Sequence, residues 1–296
     1  MGGPRLAGVE LGGTKAIAVL GDGCEIIDRF QVATSDSGTT LGRLREQLEQ
    51  WNGQHPIAAL GIASFGPVGI IPGQAQYGCM LLTPKPGWTG ADVLGALGGA
   101  VDGPSAIDLD VNAAALAEGK WGAAAGCSDH AYITVGTGIG VGIVAGGKLV
   151  TGRMHPEAGH MRVRRLPGDH FEGACEYHGD CLAGLASGPA LLARTGMEGS
   201  KLPADHPAWE TVVDALAEGC ASLFTTLALE RIVIGGGVVV KRPELADAVA
   251  LATARKVNGF PPFISDKAPV ITAALGGDAG AKGSLLLARS LLSDRY

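Results

Sequence analysis

Two cysteines and two histidines gather in one part of a chain that has only six cysteines and seven histidines among 296 residues. They are His160, Cys175, His178 and Cys181. Thiolate and imidazole are the donors that tetrahedral Zn²⁺ prefers, and four protein ligands leave no position for a substrate. The pattern therefore predicts a structural zinc site that fixes loop 160–182 and, with it, Glu157. The alternative is a pair of buried cysteines near surface histidines.

A pair of carboxylates ends a short apolar run in IDLDVNAAALAE. Asp110 comes directly before a stretch with helical spacing that starts near Asn112. A carboxylate at the end of a strand can act as a general base and accept the proton of a hydroxyl that attacks a phosphoryl group. Aspartate is also a common N-cap residue, and the residues alone leave both roles open. Asp108 is the weaker candidate for the base.

Three glycine-rich turns each follow an apolar, strand-like run. They are Gly12-Gly13-Thr14-Lys15, Gly136-Thr137-Gly138-Ile139-Gly140 and Gly235-Gly236-Gly237. Glycines let consecutive backbone N–H groups converge on one anion, and threonine hydroxyls add donors. None of the turns has P-loop spacing, and a strand rather than a helix follows the second, which excludes a dinucleotide fingerprint. Each turn alone could be an ordinary hairpin, but the three together predict a site for the phosphates of a nucleotide.

The pattern of strand, glycine turn and strand occurs twice. It covers LAGVE, LGGTK and AIAVL at residues 6–20 and returns as AYITV, GTGIG and VGIVAGGKLV at residues 131–150. The repeat predicts an α/β fold of two similar lobes that face each other across a cleft. Apolar spacing predicts further strands at 25–33, 58–63, 107–109, 231–234 and 270–274, and helices at 41–51, 112–121, 209–229, 243–257 and 278–292.

Composition and charge argue against several classes of protein. Hydrophobic residues make up 46% and charged residues 18%, which excludes general disorder. The net charge of −6 argues against a nucleic-acid binder held by phosphate contacts. Without a signal-peptide pattern, an apolar run of about 18 residues or a disulfide framework, the expectation is a cytoplasmic protein with no membrane span. The sequence has no low-complexity linker that would mark a boundary between the lobes. We place this boundary near 119–126. The small lobe is then predicted to comprise 1–119 plus 279–296, and the large lobe 120–278.

These motifs, in this order, resemble the ROK sugar kinases of the actin-like ATPase (ribonuclease H-like) fold. The likeness runs from about Gly8 to Ala288. It rests on GVELGGTK, GPVG, TPKPGW, DVNAAALAE, GTGIG, HPEAGH, CEYHGDC and GGG. Within the family, the chain is most similar to bacterial fructokinases. Those tend to have Glu at the position of Glu10 and a TPK-x-GW stretch, here Thr83–Trp88.

The resemblance implies ATP-dependent phosphorylation of a hexose 6-hydroxyl, with Mg²⁺, by a homodimeric enzyme. Asp110 would be the general base, and Glu10 would act on Mg²⁺ through water. The implied sugar contacts are Gly66, Pro67, Glu157 and His160, the last of them through the zinc. The implied nucleotide contacts are Gly12, Gly13, Thr14, Lys15, Gly136, Thr137, Gly138, Gly236 and Gly237.

Two positions depart from the pattern of many ROK glucokinases, which have Asn before the base and Glu after the last zinc cysteine. Here they are Leu109 and Ala183. Without these polar partners, the ring hydroxyls of a glucopyranose would lose hydrogen bonds, so the expected substrate is D-fructose. Leu109 agrees with a fructokinase, whereas Ala183 departs from that pattern too.

Three alternatives to a fructokinase follow from the same family resemblance. The chain could be a ROK kinase for mannose, glucose or an N-acetylhexosamine, or a sugar sensor without turnover. The sugar-responsive repressors of the family carry an N-terminal helix-turn-helix, for which we expect no room ahead of Gly8. The negative charge also argues against a repressor.

Overall fold

The computed structural model describes residues 3–22 and 25–293. Residues 1–2, 23–24 and 294–296, which the predicted limits of the small lobe include, lie outside the described residues. The chain folds into two compact units. The first comprises the described residues up to Ala117, the short segment Thr151–His155, and the described residues from Asp278 on; the second comprises Glu118–Val150 and Pro156–Gly277. Nothing in the sequence pattern indicates that Thr151–His155 packs with the first unit.

The secondary-structure elements alternate between strands and helices along most of the chain. In chain order they are β1 (Arg5–Leu11), β2 (Lys15–Asp22), β3 (Glu25–Ala33), α1 (Ser37–Gln54), β4 (Ala59–Ser64), α2 (Val93–Gly98), β5 (Ser105–Leu109), α3 (Asp110–Trp121), β6 (His130–Val135), β7 (Ile139–Ala145), β8 (Lys148–Leu149), α4 (Leu182–Ala186), α5 (Gly188–Thr195), α6 (Ala208–Leu227), β9 (Arg231–Gly235), α7 (Gly237–Val240), α8 (Glu244–Val257), β10 (Val270–Thr272) and α9 (Ala279–Ser293). Within the described part of the chain, no helix has both the length and the apolar character to cross a membrane.

The first unit is built on a five-stranded sheet in the order β3-β2-β1-β4-β5. Strands β1, β2 and β3 pair antiparallel, while β4 and β5 continue the sheet in parallel with β1. Nearly all residues of β1, β2 and β4 are buried, as expected for central strands covered on both faces. The edge strand β3 exposes most of its residues.

Helix α9 lies directly on the centre of this sheet because two strand glycines leave room for it. A Cβ atom on Gly61 would overlap the backbone oxygen of Ser284, and one on Gly8 would overlap the Ser284 hydroxyl. Leu285, one residue further along α9, is fully buried among the strands. The close approach brings the start of the helix over Glu10, since a Cβ on Gly280 would lie 2.5 Å from the Glu10 carboxyl carbon.

The second unit repeats the topology of the first. Its sheet has the order β10-β9-β6-β7-β8, with β6, β7 and β8 antiparallel and β9 and β10 parallel to β6. Strand β6 thus takes the place of β1, and the pair β9 and β10 takes the place of β4 and β5. The internal repeat predicted from the glycine turns is confirmed. The core of this unit includes Phe224 of α6, Val249 of α8 and Ile234 of β9, all fully buried.

Local chemistry explains where the elements differ from the sequence prediction. Helix α1 begins before the predicted residue 41 because the Asp36 side chain caps it, accepting a hydrogen bond from the Thr39 N–H at 2.8 Å. The stretch Val238–Val240 continues the third glycine turn as the short helix α7. The sequence prediction misses α2, α4 and α5. These helices have at most eight residues, which is too short for a clear helical period.

Candidate active site

The two carboxylates of the IDLD segment lie where β5 passes into α3. Asp110 is the first residue of α3 and is half-buried; its Oδ1 accepts a hydrogen bond from the Val111 N–H at 2.8 Å. Asp108 Oδ1 accepts two hydrogen bonds at 2.7 Å, from the Leu109 N–H and the Asn112 side-chain amide. Burial raises the pKa of Asp108, and these two hydrogen bonds lower it. Asp108 thus holds the strand–helix junction, while Asp110 stands at the helix start, where a base and a cap are both chemically reasonable.

The first glycine turn joins β1 to β2, and its carbonyl oxygens all have donors. The Thr34 hydroxyl donates to the Gly12 oxygen at 2.8 Å, and the Thr34 N–H donates to the Thr14 oxygen at 3.0 Å. The Lys85 ammonium donates to the Gly13 oxygen at 2.7 Å. In a trans peptide the carbonyl and the following N–H point in opposite directions. The amides of Gly13, Thr14 and Lys15 are therefore directed away from these donors, as an anion-binding turn requires.

Glu10 is a half-buried residue just before this turn. Its Oε2 atom is buried and has no hydrogen-bond partner among the described residues. Burial raises the pKa of Glu10, whereas the positive charges of Lys15 and Arg29 lower it. A buried carboxylate oxygen without a donor is unfavourable, and a hydrated Mg²⁺ ion, which prefers oxygen ligands, would satisfy it. The residues present thus fit the cation that the sequence motifs imply.

The GPVG segment follows β4 in the first unit. Gly66 and Pro67 are joined by a cis peptide bond. The next residue, Val68, donates its backbone N–H to Nε2 of the buried His155 at 3.3 Å. His155 comes from the short segment of residues 151–155 that packs with this unit. The predicted sugar contacts Gly66 and Pro67 are therefore held from the HPEAGH motif, a link that the sequence does not reveal.

The four predicted zinc ligands converge in the second unit. One donor atom from each lies within 4.8 Å of all the others. His160 Nδ1 is 3.4 Å from the Cys175 sulfur, 3.5 Å from the Cys181 sulfur and 3.3 Å from His178 Nδ1. A tetrahedron with ordinary Zn–S and Zn–N bond lengths has edges of about 3.5 Å between sulfur and nitrogen and about 3.3 Å between nitrogens. The donor set and its spacing therefore fit a zinc ion.

Ion pairs support the loop that carries these ligands. Both Arg162 and Arg165 pair with Asp180, next to the last ligand. Arg194 binds Asp169 through two hydrogen bonds of 2.6 and 2.9 Å, and this bond to Arg194 lowers the pKa of Asp169. The loop thus has polar support in addition to its four metal donors.

Glu157 precedes a single turn of 3-10 helix that ends at the zinc ligand His160. Burial raises the pKa of its carboxyl. Burial also lowers the pKa of His160, as does the neighbouring His178, and this favours the neutral imidazole that a metal needs. Because only two residues separate Glu157 from His160, the zinc site would fix the position of this carboxylate.

A cavity of about 360 Å³ opens in the second unit beside the second and third glycine turns. It is lined by Gly136, Thr137, Gly188, Pro189, Leu192, Glu198, Gly199, Ser200, Gly237, Val238, Lys241 and Arg242. Gly138 closes the second turn by accepting from the Gly136 N–H at 2.9 Å. Gly236 lies at φ +92°, and a Cβ there would come within 2.5 Å of the backbone of Val135. Of the predicted nucleotide contacts, Gly136, Thr137 and Gly237 thus share one cavity.

The predicted site residues divide between the two units. Glu10, Gly12, Gly13, Thr14, Lys15, Gly66, Pro67 and Asp110 belong to the first; Gly136, Thr137, Gly138, Glu157, His160, Cys175, His178, Cys181, Gly236 and Gly237 belong to the second. The two departures from the glucokinase pattern are buried apolar side chains, Leu109 at the end of β5 and Ala183 in α4. Sequence reasoning missed the other residues that line the cavity, which are Gly188, Pro189, Leu192, Glu198, Gly199, Ser200, Val238, Lys241 and Arg242. Of these, Val238 directly follows the third glycine turn, which is a local signal that could have found it.

Known proteins resemble this chain both in sequence and in fold. A family model described as the ROK family matches residues 6–290. The chain is 37% identical to the fructokinase of Pediococcus pentosaceus over 98% of this chain and 99% of that protein. It is 38% identical to the fructokinase of Zymomonas mobilis subsp. mobilis over 95% of each. The structure of the ROK hexokinase from Thermus thermophilus matches with a TM-score of 0.81 at 28% identity, covering 98% of this chain and 99% of that one. The fold is the α/β fold of the actin-like ATPases, and the chain belongs to the ROK family.

Proposed function

We propose that this protein is an ATP-dependent fructokinase that phosphorylates the 6-hydroxyl of D-fructose. The observation that carries the proposal is its similarity to fructokinases along nearly the whole chain. The residues agree with it, since the chain carries a glycine turn suited to an anion, a carboxylate at the start of α3 and a cavity of about 360 Å³ beside the second and third glycine turns. The enzyme would work in the cytoplasm as a homodimer, which family resemblance alone supports.

In the proposed reaction, Asp110 accepts the proton of the sugar 6-hydroxyl while the oxygen of that hydroxyl attacks the γ-phosphorus of ATP. The new O–P bond forms, the bond from the γ-phosphorus to the bridging oxygen breaks, and ADP leaves. Such a base contributes about 10²- to 10⁴-fold in rate. Bound Mg²⁺ would neutralise charge on the phosphates, with Glu10 holding its hydration shell.

The remaining residues position the substrates. The turn of Gly12, Gly13, Thr14 and Lys15 would hold phosphate oxygens through the amides of its last three residues, because the Gly12 N–H already donates to the Lys15 oxygen at 3.0 Å. The turn of Gly136, Thr137 and Gly138 would do so through the amides of Thr137 and Gly138, because the Gly136 N–H closes that turn. Gly236 and Gly237 allow the adenosine to approach the backbone closely. Gly66, Pro67 and Glu157 would contact the sugar. His160 would contribute through a structural zinc held with Cys175, His178 and Cys181.

The sugar specificity rests on two apolar positions. Leu109 and Ala183 offer no hydrogen bonds to pyranose hydroxyls, and a polar substrate group left unpaired weakens binding strongly. A second candidate is a ROK kinase for mannose, glucose or an N-acetylhexosamine, because Ala183 departs from the fructokinase pattern as well and so does not single out fructose. The zinc, the base and the nucleotide residues would be the same in both.

A coupled ADP-release assay with Mg²⁺ and ATP tests the proposal. We expect kcat/KM for fructose to exceed those for mannose, glucose and N-acetylglucosamine by at least about 10-fold, which is the loss that one missing hydrogen bond produces. Preference for another of these sugars would overturn the substrate and keep the kinase. Absence of turnover with all four would favour a sensor, and sugar binding by calorimetry would then detect it.

A further inference from the structure

The loop Thr83–Trp88 reaches the first glycine turn through one long side chain. The Lys85 ammonium lies 2.7 Å from the Gly13 carbonyl oxygen and 3.4 Å from that of Thr34. Both partners are neutral main-chain oxygens. Within the described part of the chain Lys85 forms no ion pair, so its positive charge is not cancelled by a neighbouring carboxylate.

The reach of Lys85 is fixed because its loop is anchored a few residues later. Trp88 is fully buried, and its indole N–H donates to the Ser35 oxygen at 2.7 Å. Its ring meets Phe65 edge-on with centroids 4.9 Å apart. The Ser37 hydroxyl also donates to the Gly87 oxygen at 2.6 Å. The loop therefore presents Lys85 from a rigid base, since a buried aromatic ring with a satisfied donor has little freedom to move.

The direction of the Gly13 carbonyl decides what the turn can bind. Gly13 carries no side chain to set its peptide plane, and glycine has wide conformational freedom. The ammonium holds the carbonyl by a charge-assisted hydrogen bond, which is stronger than a neutral one. With the carbonyl fixed on one side, the Thr14 N–H must point to the other, where an anion would receive it.

We propose that Lys85 is a positioning residue for phosphoryl transfer, which orients the Gly13–Thr14 peptide and adds positive charge beside the phosphate turn. The inference rests on the proposed function. It makes the TPK-x-GW loop part of the nucleotide machinery. The class of ligand it serves is a nucleoside triphosphate, at its phosphate end.

Kinetics of Lys85→Met test the proposal, with Lys85→Arg as the conservative variant. Loss of a charged hydrogen bond corresponds to about 10- to 100-fold. We expect kcat/KM for ATP to fall in that range, KM for the sugar to change less than about 2-fold, and Lys85→Arg to recover part of the loss. Lys148→Met, at an exposed position of β8, should behave as wild type. A loss confined to the sugar KM, or wild-type kinetics in Lys85→Met, would overturn the proposal.

Binding measurements keep the inference separate from the sugar-kinase assignment. Calorimetry with a non-hydrolysable ATP analogue and with adenosine needs no turnover. Lys85→Met should weaken the analogue about 10-fold and leave adenosine unchanged. Equal loss for both ligands would indicate general damage and overturn the specific role. If Lys85→Met does not fold, Thr34→Val removes the neighbouring hydroxyl on the Gly12 oxygen and should show the same selectivity more weakly; an unselective result would count against the proposal.

Discussion

The two units have the same strand order, and each has a glycine turn at the same place in its sheet. They differ in the groups that donate hydrogen bonds to that turn. In the first unit, two side chains donate to the turn in addition to backbone groups: the Thr34 hydroxyl binds the oxygen of Gly12, and the Lys85 ammonium binds that of Gly13. In the second, backbone does so, since the Gly188 N–H donates to the Gly136 oxygen at 2.8 Å. The first turn therefore adds charge to its surroundings, and the second leaves space for a ligand.

The other candidate site residues also differ between the two units. The first holds the carboxylates Glu10, Asp108 and Asp110, two of which have raised pKa values because they are buried. The second holds the open cavity and the Cys/His cluster. On the proposed function, the first unit supplies the general base and the carboxylate for Mg²⁺, and the second supplies the cavity for the nucleoside together with a phosphate turn and the sugar contact Glu157. A duplicated fold has thus diverged in side chains while keeping its strands.

Asp110→Asn alters the proposed general base in the first unit and should give the largest effect on activity. The amide cannot accept the proton of the sugar hydroxyl, so we expect kcat to fall by about 10³-fold, within the range for a general base, with thermal stability close to wild type. Steady-state kinetics and circular dichroism measure both. Asp102→Asn, at an exposed carboxylate of the same unit, is the matched control. Turnover near wild type in Asp110→Asn would remove the base from the proposed mechanism.

Loss of a donor from the Cys/His cluster alters the second unit and should give the second-largest effect on activity. We expect Cys175→Ser, or chelation, to loosen residues 160–182 and lower kcat/KM for the sugar by about 10- to 100-fold, as for mutations that disturb a metal site. Hydrogen exchange and metal analysis would follow the loop and the zinc content. Cys79→Ser alters a half-exposed free cysteine and should leave both unchanged. Full activity after proven metal loss would show that the loop does not need zinc.

Gly236→Ala would test whether the third turn depends on backbone alone. A side chain at φ +92° is strained, and its Cβ would lie 2.5 Å from Val135 backbone atoms. We expect a loss of about 2 kcal/mol or more in the free energy of unfolding, measured by urea titration. A Cβ on the neighbouring Gly237 meets nothing within 4 Å, so Gly237→Ala should keep stability and change only KM for ATP. Equal stability of the two variants would contradict this account.

Local patterns in the sequence predicted the parts of the site whose residues lie close together along the chain. The donors of CEYHGDC meet because a tight turn joins them, and the glycine turns follow strands that alternate with helices. The doubled strand pattern likewise predicted the repeated sheet. Each of these depends on short-range geometry, which residue type and spacing largely determine.

The missed features depend on contacts between distant residues. Lys85 and Gly13 are 72 positions apart, and His155 and Val68 are 87 apart. No periodicity links such pairs; only the packing of the loops brings them together. The role of Asp110 also stays open from sequence, because a strand end that starts a helix suits a cap as well as a base.

Asp108→Asn should give the smallest effect and separates the two carboxylates of the IDLD segment. Burial raises the pKa of Asp108, so the folded state binds its proton more tightly than the unfolded state. The free energy of unfolding of the wild type should therefore fall as pH rises above the unfolded pKa. Asparagine keeps the acceptor for Leu109 and Asn112 but carries no charge. Melting temperatures should then favour the variant slightly at pH 8 and not at pH 3.5, and kcat should fall far less than in Asp110→Asn. A loss of kcat as large as that of Asp110→Asn would make Asp108 the better candidate for the base.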